Sequence, residues 1–417
     1  MKRNAVYGVG RGINGREAAM QATQQALDLL GAARPVLAVV FVSQEFVVAD
    51  ALAGLVALLG DTPMWGFSTL RPLTEDGDQP RTVVVALLTG SELKAQVEWY
   101  PTFSQDASGI ARQFAQSVHQ GSFLTQDILF VADGINANLG PLCAALADLP
   151  YGVCGCTAAG EAALGKTFQI GKNQSGPGAL SALVLGGRFR LGVGMAHGWR
   201  SVGAFFRATS TRDVWVQTLD AAPAVETYVR YFGYSPREWA FPPLTDMARL
   251  YPLGVEMSSA PLEQSGDPPA ANGATLSHSP TTAGSDLLLR SPLRVEVDGS
   301  LRMSAPVPQG AVVHLMVGDP DACLQAARQA AQTALDALNT GRGSVRPILA
   351  IALVDVAWQY LFETRPTQVA AALKATLGDI PLVGAYTLGQ IARPQPGAAP
   401  VIQNQNLAVV VFGEAVD

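Results

Sequence analysis

Short unbroken apolar runs alternate with stretches of helical period along most of this chain. Val36 to Val42 and Thr82 to Leu88 are two such runs. A strand with one wet face alternates apolar and polar residues, so an unbroken run predicts a strand covered on both faces. Glu17 to Leu30 instead places Ala18, Ala22, Ala26 and Leu29 on one helical face and stops at Gly31. Ala49 to Leu59 is a second helix, closed by Gly60 and Asp61. The pattern predicts a unit: strand Ala5 to Gly10, helix, strand, helix, short strand Met64-Trp65, a glycine turn at Gly66, a polar loop and a closing strand.

The plan recurs. The second pass has strand Val97 to Tyr100 and helix Ser104 to Val118, with Ser104 or Asp106 as cap. Strand Asp127 to Val131 and helix Gly140 to Leu149 follow, with Pro141 in the first turn. Tyr151 to Val153 then runs into Gly155, and Gly178 to Leu185 closes the unit. The third pass takes strand Val312 to Val317, an alanine-rich helix from Asp319-Pro320 to Leu338, and strand Ile348 to Val354. Helix Gln368 to Leu377 follows, then Pro381 to Val383 leading into Gly384, and Leu407 to Phe412. First strand to glycine spans about 60, 60 and 70 residues in the three passes, an internal-repeat spacing.

Between the second and third passes the pattern changes. Phe189 to Met195 reads as a strand, His197 to Arg200 as a turn, and Ala204 to Thr209 with Val214 to Leu219 as a hairpin. Ala222 to Tyr231 is helical and ends at Gly233. Residues 258–285 are rich in Ser, Pro, Gly, Ala and Thr without periodicity, the composition of a flexible linker. Asp286 to Arg290, Arg294 to Val297 and Leu301 to Met303 then read as strands, with a turn at Asp298-Gly299. The expected fold class is α/β, with mixed sheets built from repeated strand–helix units in two tandem domains. Residues 1–233 form the first domain, with two units. Residues 234–310 connect, carrying the linker and a β-hairpin, and 311–417 form the core of the second domain.

Composition narrows the function. Hydrophobic residues are 48% of the 417 and charged residues 15%, which suits extensive buried sheets and excludes a disordered chain. A net charge of -6 without a long basic run argues against nucleic acid as partner. Four cysteines are too few for a disulfide scaffold in a chain this long. The basic start is broken by Gly8, Gly10 and Gly12, and no run reaches roughly 18 apolar residues. The expectation is a soluble, reduced, cytoplasmic protein without membrane insertion.

The three glycine stretches are the candidate chemistry. They are Gly66-Phe67-Ser68-Thr69, Gly155-Cys156-Thr157-Ala158-Ala159-Gly160-Glu161, and Gly384-Ala385-Tyr386-Thr387-Leu388-Gly389-Gln390. A glycine at a strand end permits positive φ and close approach of a ligand, and strand-end loops of α/β sheets are where ligands sit. For an amino-acid ligand, Glu161 would pair with the ammonium group, while Ser68, Thr69, Thr157, Thr387 and backbone N–H groups would hold the carboxylate. The alternative is that the glycines make tight turns and the hydroxyls cap nearby backbone. His197 and Arg200 likewise read either as ligand contacts or as a structural turn. Cys154-x-Cys156 lacks metal-ligand spacing to Cys143 or Cys323 and reads as small buried residues. Gly8-x-Gly10-x-Gly12 lacks the residues of a phosphate loop and reads as a loop. Gly66-x-Ser68 lacks the last glycine of a nucleophile elbow, so no catalytic residue is assigned.

Four more stretches complete the picture: His197 to Gly203, Leu219 to Ala224, Tyr251 to Gly254, and Asn404-Gln405-Asn406. With the glycine stretches, in this order and spacing, they resemble the FIST family of sensory domains, an N-terminal and a C-terminal module in tandem. The resemblance covers nearly the whole chain except 258–285. It implies a sensory protein of intracellular signal transduction that binds small molecules such as amino acids or a similar metabolite. The implied site is Gly155, Thr157, Gly160, Glu161, Ser68, Thr69, Tyr386, Thr387, Gln390, His197 and Arg200. Output would pass to a separate signalling protein such as a histidine kinase or cyclase. A haem-binding, nitric-oxide-responsive branch of the family gives an alternative, with His197 as axial ligand. An enzyme acting on acyl or amide groups through Cys156 or Ser68, and a ligand-free scaffold for protein interaction, are the others. The chain departs from the family pattern at Leu70-Arg71-Pro72, at Leu353-Val354-Asp355-Val356 and at Gln390, so Gly160-Glu161 alone keeps the full turn.

Overall fold

A computed structural model describes residues 4–121, 123–160, 167–233, 248–256, 287–340, 344–393 and 398–416. Contacts divide the chain into two compact units, and the division does not follow sequence order. One unit is residues 1–197 with 320–417, and the other is 198–319. The second unit is therefore inserted within the first, and the expected boundaries at 233 and 310 are not where the contacts separate.

The first unit opens with β1 (Ala5–Arg11), α1 (Gly15–Leu30), β2 (Leu37–Ser43), α2 (Val48–Leu59) and β3 (Met64–Thr69). A short hairpin, β4 (Pro72–Thr74) and β5 (Gly77–Asp78), precedes β6 (Thr82–Leu88). Then come β7 (Leu93–Tyr100), α3 (Ala107–His119), β8 (Thr125–Ala132), α4 (Gly140–Ala147) and β9 (Gly152–Ala158). The hairpin β10 (Phe168–Gly171) and β11 (Gln174–Pro177) leads to β12 (Leu180–Gly187) and β13 (Phe189–Ala196).

The inserted unit holds β14 (Trp199–Arg212), β15 (Trp215–Leu219), β16 (Ala222–Pro223), α5 (Ala224–Val229) and β17 (Leu253–Val255). It continues with β18 (Leu288–Arg290), β19 (Pro292–Val295), β20 (Leu301–Met303) and β21 (Val312–Gly318). These strands form one eight-stranded sheet, closed over a core of Phe206, Val216, Leu219, Tyr228, Leu253 and Leu301. The expected hairpin is present as β14 and β15, with Asp213 at positive φ in its turn.

The chain returns to the first unit with α6 (Pro320–Leu338), β22 (Ser344–Asp355), α7 (Val356–Leu361) and α8 (Gln368–Leu377). It ends with β23 (Leu382–Ala392), β24 (Val401–Gln403) and β25 (Leu407–Val416). The first unit has a six-stranded sheet, β1-β6-β2-β3-β10-β11, and an eleven-stranded one whose main path is β13-β25-β22-β23-β9-β8-β12-β7. One strand order therefore occurs three times: β1-β6-β2-β3, β7-β12-β8-β9 and β13-β25-β22-β23.

The unbroken apolar runs have the expected cause. On β2, Leu37, Val39 and Phe41 enter a core shared by both sheets, with Trp65, Leu129, Ile351 and Val410. Ala38, Val40 and Val42 face the other way, against Ala18, Ala22 and Leu55 of the helices. Each face removes apolar side chains from water, worth about 1.5–3 kcal/mol for each fully buried Val or Leu.

The third pass begins elsewhere than expected. Val312 to Val317 lies in β21, which pairs with β14 and β17 in the inserted unit. Beside β25 stands β13, and its Gly192 and Gly194 explain why. A Cβ there would lie 2.0 Å from the Ala334 carbonyl and 2.1 Å from that of Ala330, so only glycine lets the alanine face of α6 settle on this strand. Gly8 and Gly10, in the strand expected over Ala5 to Gly10, do the same from within β1: a Cβ would lie 2.0 Å and 1.8 Å from the Ala22 and Ala18 carbonyls of α1.

Candidate functional site

The three glycine stretches are not turns. Gly66 is inside β3 opposite Val40, Gly155 inside β9 opposite Phe130, and Gly384 inside β23 opposite Ala352. None has positive φ. Close approach requires them: a Cβ at Gly66 would lie 1.9 Å from the Val40 carbonyl, and one at Gly155 2.4 Å from the Phe130 ring. The strands run on past each glycine.

The fold nonetheless brings much of the expected site together. β4 pairs with β23 through Pro72–Ala385, Leu73–Gly384 and Thr74–Val383, and β9 pairs with the far half of β23. Thr69 Oγ1 donates to the Tyr386 carbonyl at 2.8 Å. Ser68 Oγ accepts from the Phe168 amide at 2.9 Å. Thr387 Oγ1 reaches the Val354 carbonyl at 3.3 Å, and the Gln390 side chain meets Thr387 Oγ1 at 2.6 Å. Thr157 is opposite Gly389. Ser68, Thr69, Thr157, Thr387 and Gln390 are all buried. The hydroxyls of Ser68, Thr69 and Thr387 are thus committed to internal hydrogen bonds, which is the structural alternative weighed from the sequence.

Asp355, one of the departures from the family pattern, has a structural role. Its Oδ1 accepts from the Ala357 amide at 3.0 Å, capping α7, and its Oδ2 accepts from the Gln405 amide at 2.9 Å. This holds the Asn404-Gln405-Asn406 turn, in which Gln405 has positive φ.

Charged residues that sequence reasoning missed surround the same junction. The side chain of Asp78 is 1% exposed; its Oδ2 is 3.7 Å from Arg71 Nη1. Its Oδ1 is buried without a hydrogen-bond partner among the described residues. Burial pushes the Asp78 carboxyl above its ordinary value, against the pull of Arg71. Tyr386 is fully buried; burial and the nearby Asp78 keep its phenol protonated far above the usual range. Glu75, on the same hairpin, pairs with Lys374 at 3.0 Å. Burial alone would raise Glu75, but hydrogen bonds from Lys374 and Tyr7 outweigh it and hold the carboxyl below its ordinary value. In the sequence these residues fall in a short polar loop with no periodicity to mark them.

The remaining expected residues do not join this junction. Gly160 is buried just after β9, and Glu161 lies outside the described residues. His197 follows β13 in the first unit, whereas Arg200 belongs to the inserted unit, is exposed and pairs with Asp319 at 3.3 Å. Cys154 and Cys156 sit in the apolar core; burial pushes Cys154 to about 12 and Cys156 well above its ordinary value, so neither is a ready nucleophile. Among the described residues no group of three or more His, Cys, Asp or Glu could hold a metal ion.

A separate open groove of about 690 Å³ runs along β7. Leu93 to Val97 form one wall, with Val36, Asp61, Pro63, Phe123 and the Lys172-Asn173 turn around it. None of the expected site residues lines it. It offers no His, Cys, Met or Tyr to ligate haem iron, and His197 is not on its wall, so haem does not fit there.

The FIST N domain model matches residues 36–222 and the FIST C domain model matches 224–393. No curated protein matches. A crystal structure of a chorismatase is similar over 99% of this chain and 98% of its own, at 10% identity and a TM-score of 0.35. No helix among the described residues is long and apolar enough to cross a membrane. The two domain models together cover most of the chain, and it belongs to the FIST family, with the N domain followed by the C domain.

Proposed function

We propose that this protein is a sensor in signal transduction whose ligand is a small zwitterion, such as an amino acid, held where β3, β4, β5 and β23 meet. FIST domains are generally sensory and ligand-binding. The observation that carries the finer reading is the Asp78 carboxylate, buried with one oxygen unpartnered and the other 3.7 Å from Arg71. A buried polar atom without a partner costs about 1–3 kcal/mol, and a ligand ammonium would remove that cost. The Arg71 side chain is 40% exposed, so it can meet a ligand carboxylate from the solvent side. The protonated Tyr386 phenol adds a donor. Asp78 takes the role that the family pattern gives to a carboxylate in the first stretch, where this chain has Leu70-Arg71-Pro72.

The same hairpin supplies a route for the signal. It pairs with β23, and Glu75 ties it to Tyr7 of β1 and Lys374 of α8. A ligand that shifts Asp78 therefore loads both sheets of the unit. A separate signalling protein in the cytoplasm, such as a histidine kinase or cyclase, would read the change. The threefold recurrence of one strand order fits an origin by internal repetition, with the inserted unit entering between the first strand and first helix of the third copy.

Isothermal titration with the common amino acids tests the reading. At least one should bind, its N-acetyl and amide derivatives should bind at least tenfold more weakly, and Asp78→Asn should lose tenfold or more. No binding by any of them, or equal binding by Asp78→Asn, overturns it.

A further inference from the structure

We propose that the ligand of the Asp78 junction is a basic amino acid, one whose side chain ends in hydrogen-bond donors alone, such as arginine or lysine. This rests on the reading of that junction as a zwitterion site and names the class of zwitterion. Asp78 Oδ1 is not the only unmet acceptor there. The side-chain oxygens of Gln44 and Gln368 are also buried without a hydrogen-bond partner among the described residues. Both residues adjoin the hairpin that carries Asp78. Gln44 follows Ser43 at the end of β2, and its backbone amide donates to the carbonyl of Thr69 at 2.7 Å, two residues before Arg71. Gln368 opens α8 directly after Thr367. A Cβ on Gly77, the neighbour of Asp78, would lie 3.1 Å from the Thr367 side chain, so this end of α8 sits against the hairpin.

Unmet acceptors define what fits. Buried polar groups are normally paired, and each one left without a partner costs free energy that a ligand donor recovers. The ligand ammonium meets Asp78, which leaves the two glutamine oxygens to the side chain. A guanidinium carries five N–H donors and an ammonium three, and neither carries an acceptor. A carboxamide side chain brings an acceptor oxygen with its donors, and that oxygen would go unpaired among acceptors. An apolar side chain would leave both glutamine oxygens as they are.

An acidic side chain finds no free cation. Arg71 and Lys374 are the cations beside the hairpin and on α8, and both are engaged. Arg71 is 3.7 Å from Asp78 and is the group that receives the ligand carboxylate. Lys374 pairs with Glu75 at 3.0 Å and donates to the Ile380 carbonyl at 3.1 Å. A second carboxylate on the ligand would therefore face oxygen atoms without a donor to offset the loss of its water.

Titration calorimetry on the full chain compares arginine and lysine with norvaline, glutamine, glutamate and citrulline. Citrulline keeps the length of arginine but has a carbonyl oxygen in place of one donor nitrogen. Arginine or lysine should bind at least tenfold tighter than each of the other four. Gln44→Glu and Gln368→Glu keep the side-chain length and add a charge, and should tighten the basic ligand at least threefold. Gln44→Leu and Gln368→Leu should weaken it at least fivefold, with circular dichroism to check the fold. The proposal is overturned if norvaline or citrulline binds as tightly as arginine and lysine, or if neither Glu variant tightens binding. In that event a loss of all amino-acid binding in Asp78→Asn leaves the zwitterion site standing and removes only its side-chain preference. Failure of every amino acid to bind overturns both.

Discussion

Asp78 and Arg71 face each other at 3.7 Å, but the pair leaves the second carboxylate oxygen of Asp78 buried and without a partner among the described residues. The folded-state value of Asp78 lies above the ordinary one. Such a group binds a proton more readily when folded, so its contribution falls as pH rises through the carboxylate range and stays lost at neutral pH. Asp78→Asn should therefore raise stability at pH 7 by about 1 kcal/mol, the lower end of the cost of an unsatisfied buried group. The gain should shrink as pH falls below the folded value. A variant that becomes more stable while losing zwitterion binding marks a functional residue; thermal unfolding from pH 4 to 8 beside titration calorimetry separates the two effects. A less stable Asp78→Asn at pH 7 would show the Arg71 pair to be structural.

The close seating of β1 on α1 and of β13 on α6 predicts matched sensitivity to one added methyl group. Gly10→Ala and Gly194→Ala each place a Cβ about 2 Å from a helix carbonyl that cannot move alone. Overpacking of this kind costs about 1–3 kcal/mol, read as a lower urea midpoint. Gly12→Ala is the control: its nearest atom is 4.0 Å from the new Cβ, and the change should stay within about 0.5 kcal/mol. A harmless Gly194→Ala would mean that β13 does not lie under α6.

Those glycines also show what was legible in the sequence. The apolar runs located β2, β6, β12, β22 and β25, because burial on both faces leaves an unbroken pattern. The cap of α3 was legible as a choice between Ser104 and Asp106, and the structure has Asp106 accepting from the Gly109 amide at 2.8 Å. The partner of β25 was not, because β13 and β21 are interchangeable as apolar strands. The distinguishing signal was Gly192-Val193-Gly194, which repeats Gly8-Val9-Gly10 and answers the alanine face of the following helix. Gly66, Gly155 and Gly384 looked like turns because a strand glycine and a turn glycine are identical letters; only the neighbouring backbone tells them apart. Asp78 was hidden for another reason. Its hairpin is too short to carry a period, and its burial depends on β23, some three hundred residues away in sequence.

Asp127 gives a pH dependence independent of the ligand. It lies on β8, accepts from the Leu191 amide of β13 at 3.0 Å, and is raised to about 6. Burial is the main cause, opposed by the Leu191 hydrogen bond and by Arg190. Its folded value is above the unfolded one near 3.9, so its stability contribution is complete below about pH 4 and lost as pH rises through about 6. Asp127→Asn keeps an acceptor for Leu191 without the charge. The wild type should lose roughly 2 kcal/mol relative to this variant between pH 4 and pH 7, as each pKa unit corresponds to about 1.4 kcal/mol. Parallel unfolding curves of the two proteins over that range would contradict the assignment.

Arg393, at the end of β23, predicts a local effect on one helix. Its Nη2 donates to the Leu146 and Leu149 carbonyls at 2.6 and 2.5 Å, and its Nη1 to Ala147 at 3.2 Å and to Ala398. Its Nε donates to the Tyr151 carbonyl at 3.2 Å. Leu146 and Ala147 close α4, where a helix leaves carbonyls without internal partners and a negative dipole end. Burial lowers the Arg393 value, but a guanidinium stays charged, and among the described residues these carbonyls are what it meets. Arg393→Ala should cost about 3 kcal/mol, because hydrogen bonds from charged groups contribute about 1.5–3 kcal/mol each and water can replace some of them. Arg393→Lys should recover less than half, since one ammonium cannot fan across five carbonyls spread over a helix end and two loops. Hydrogen exchange distinguishes this from a general loss of stability. In Arg393→Ala the amides of α4 should exchange faster at pH 7 while those of β1 and β6 keep their rates; equal acceleration in both sheets would show that Arg393 supports the whole unit and not the end of α4.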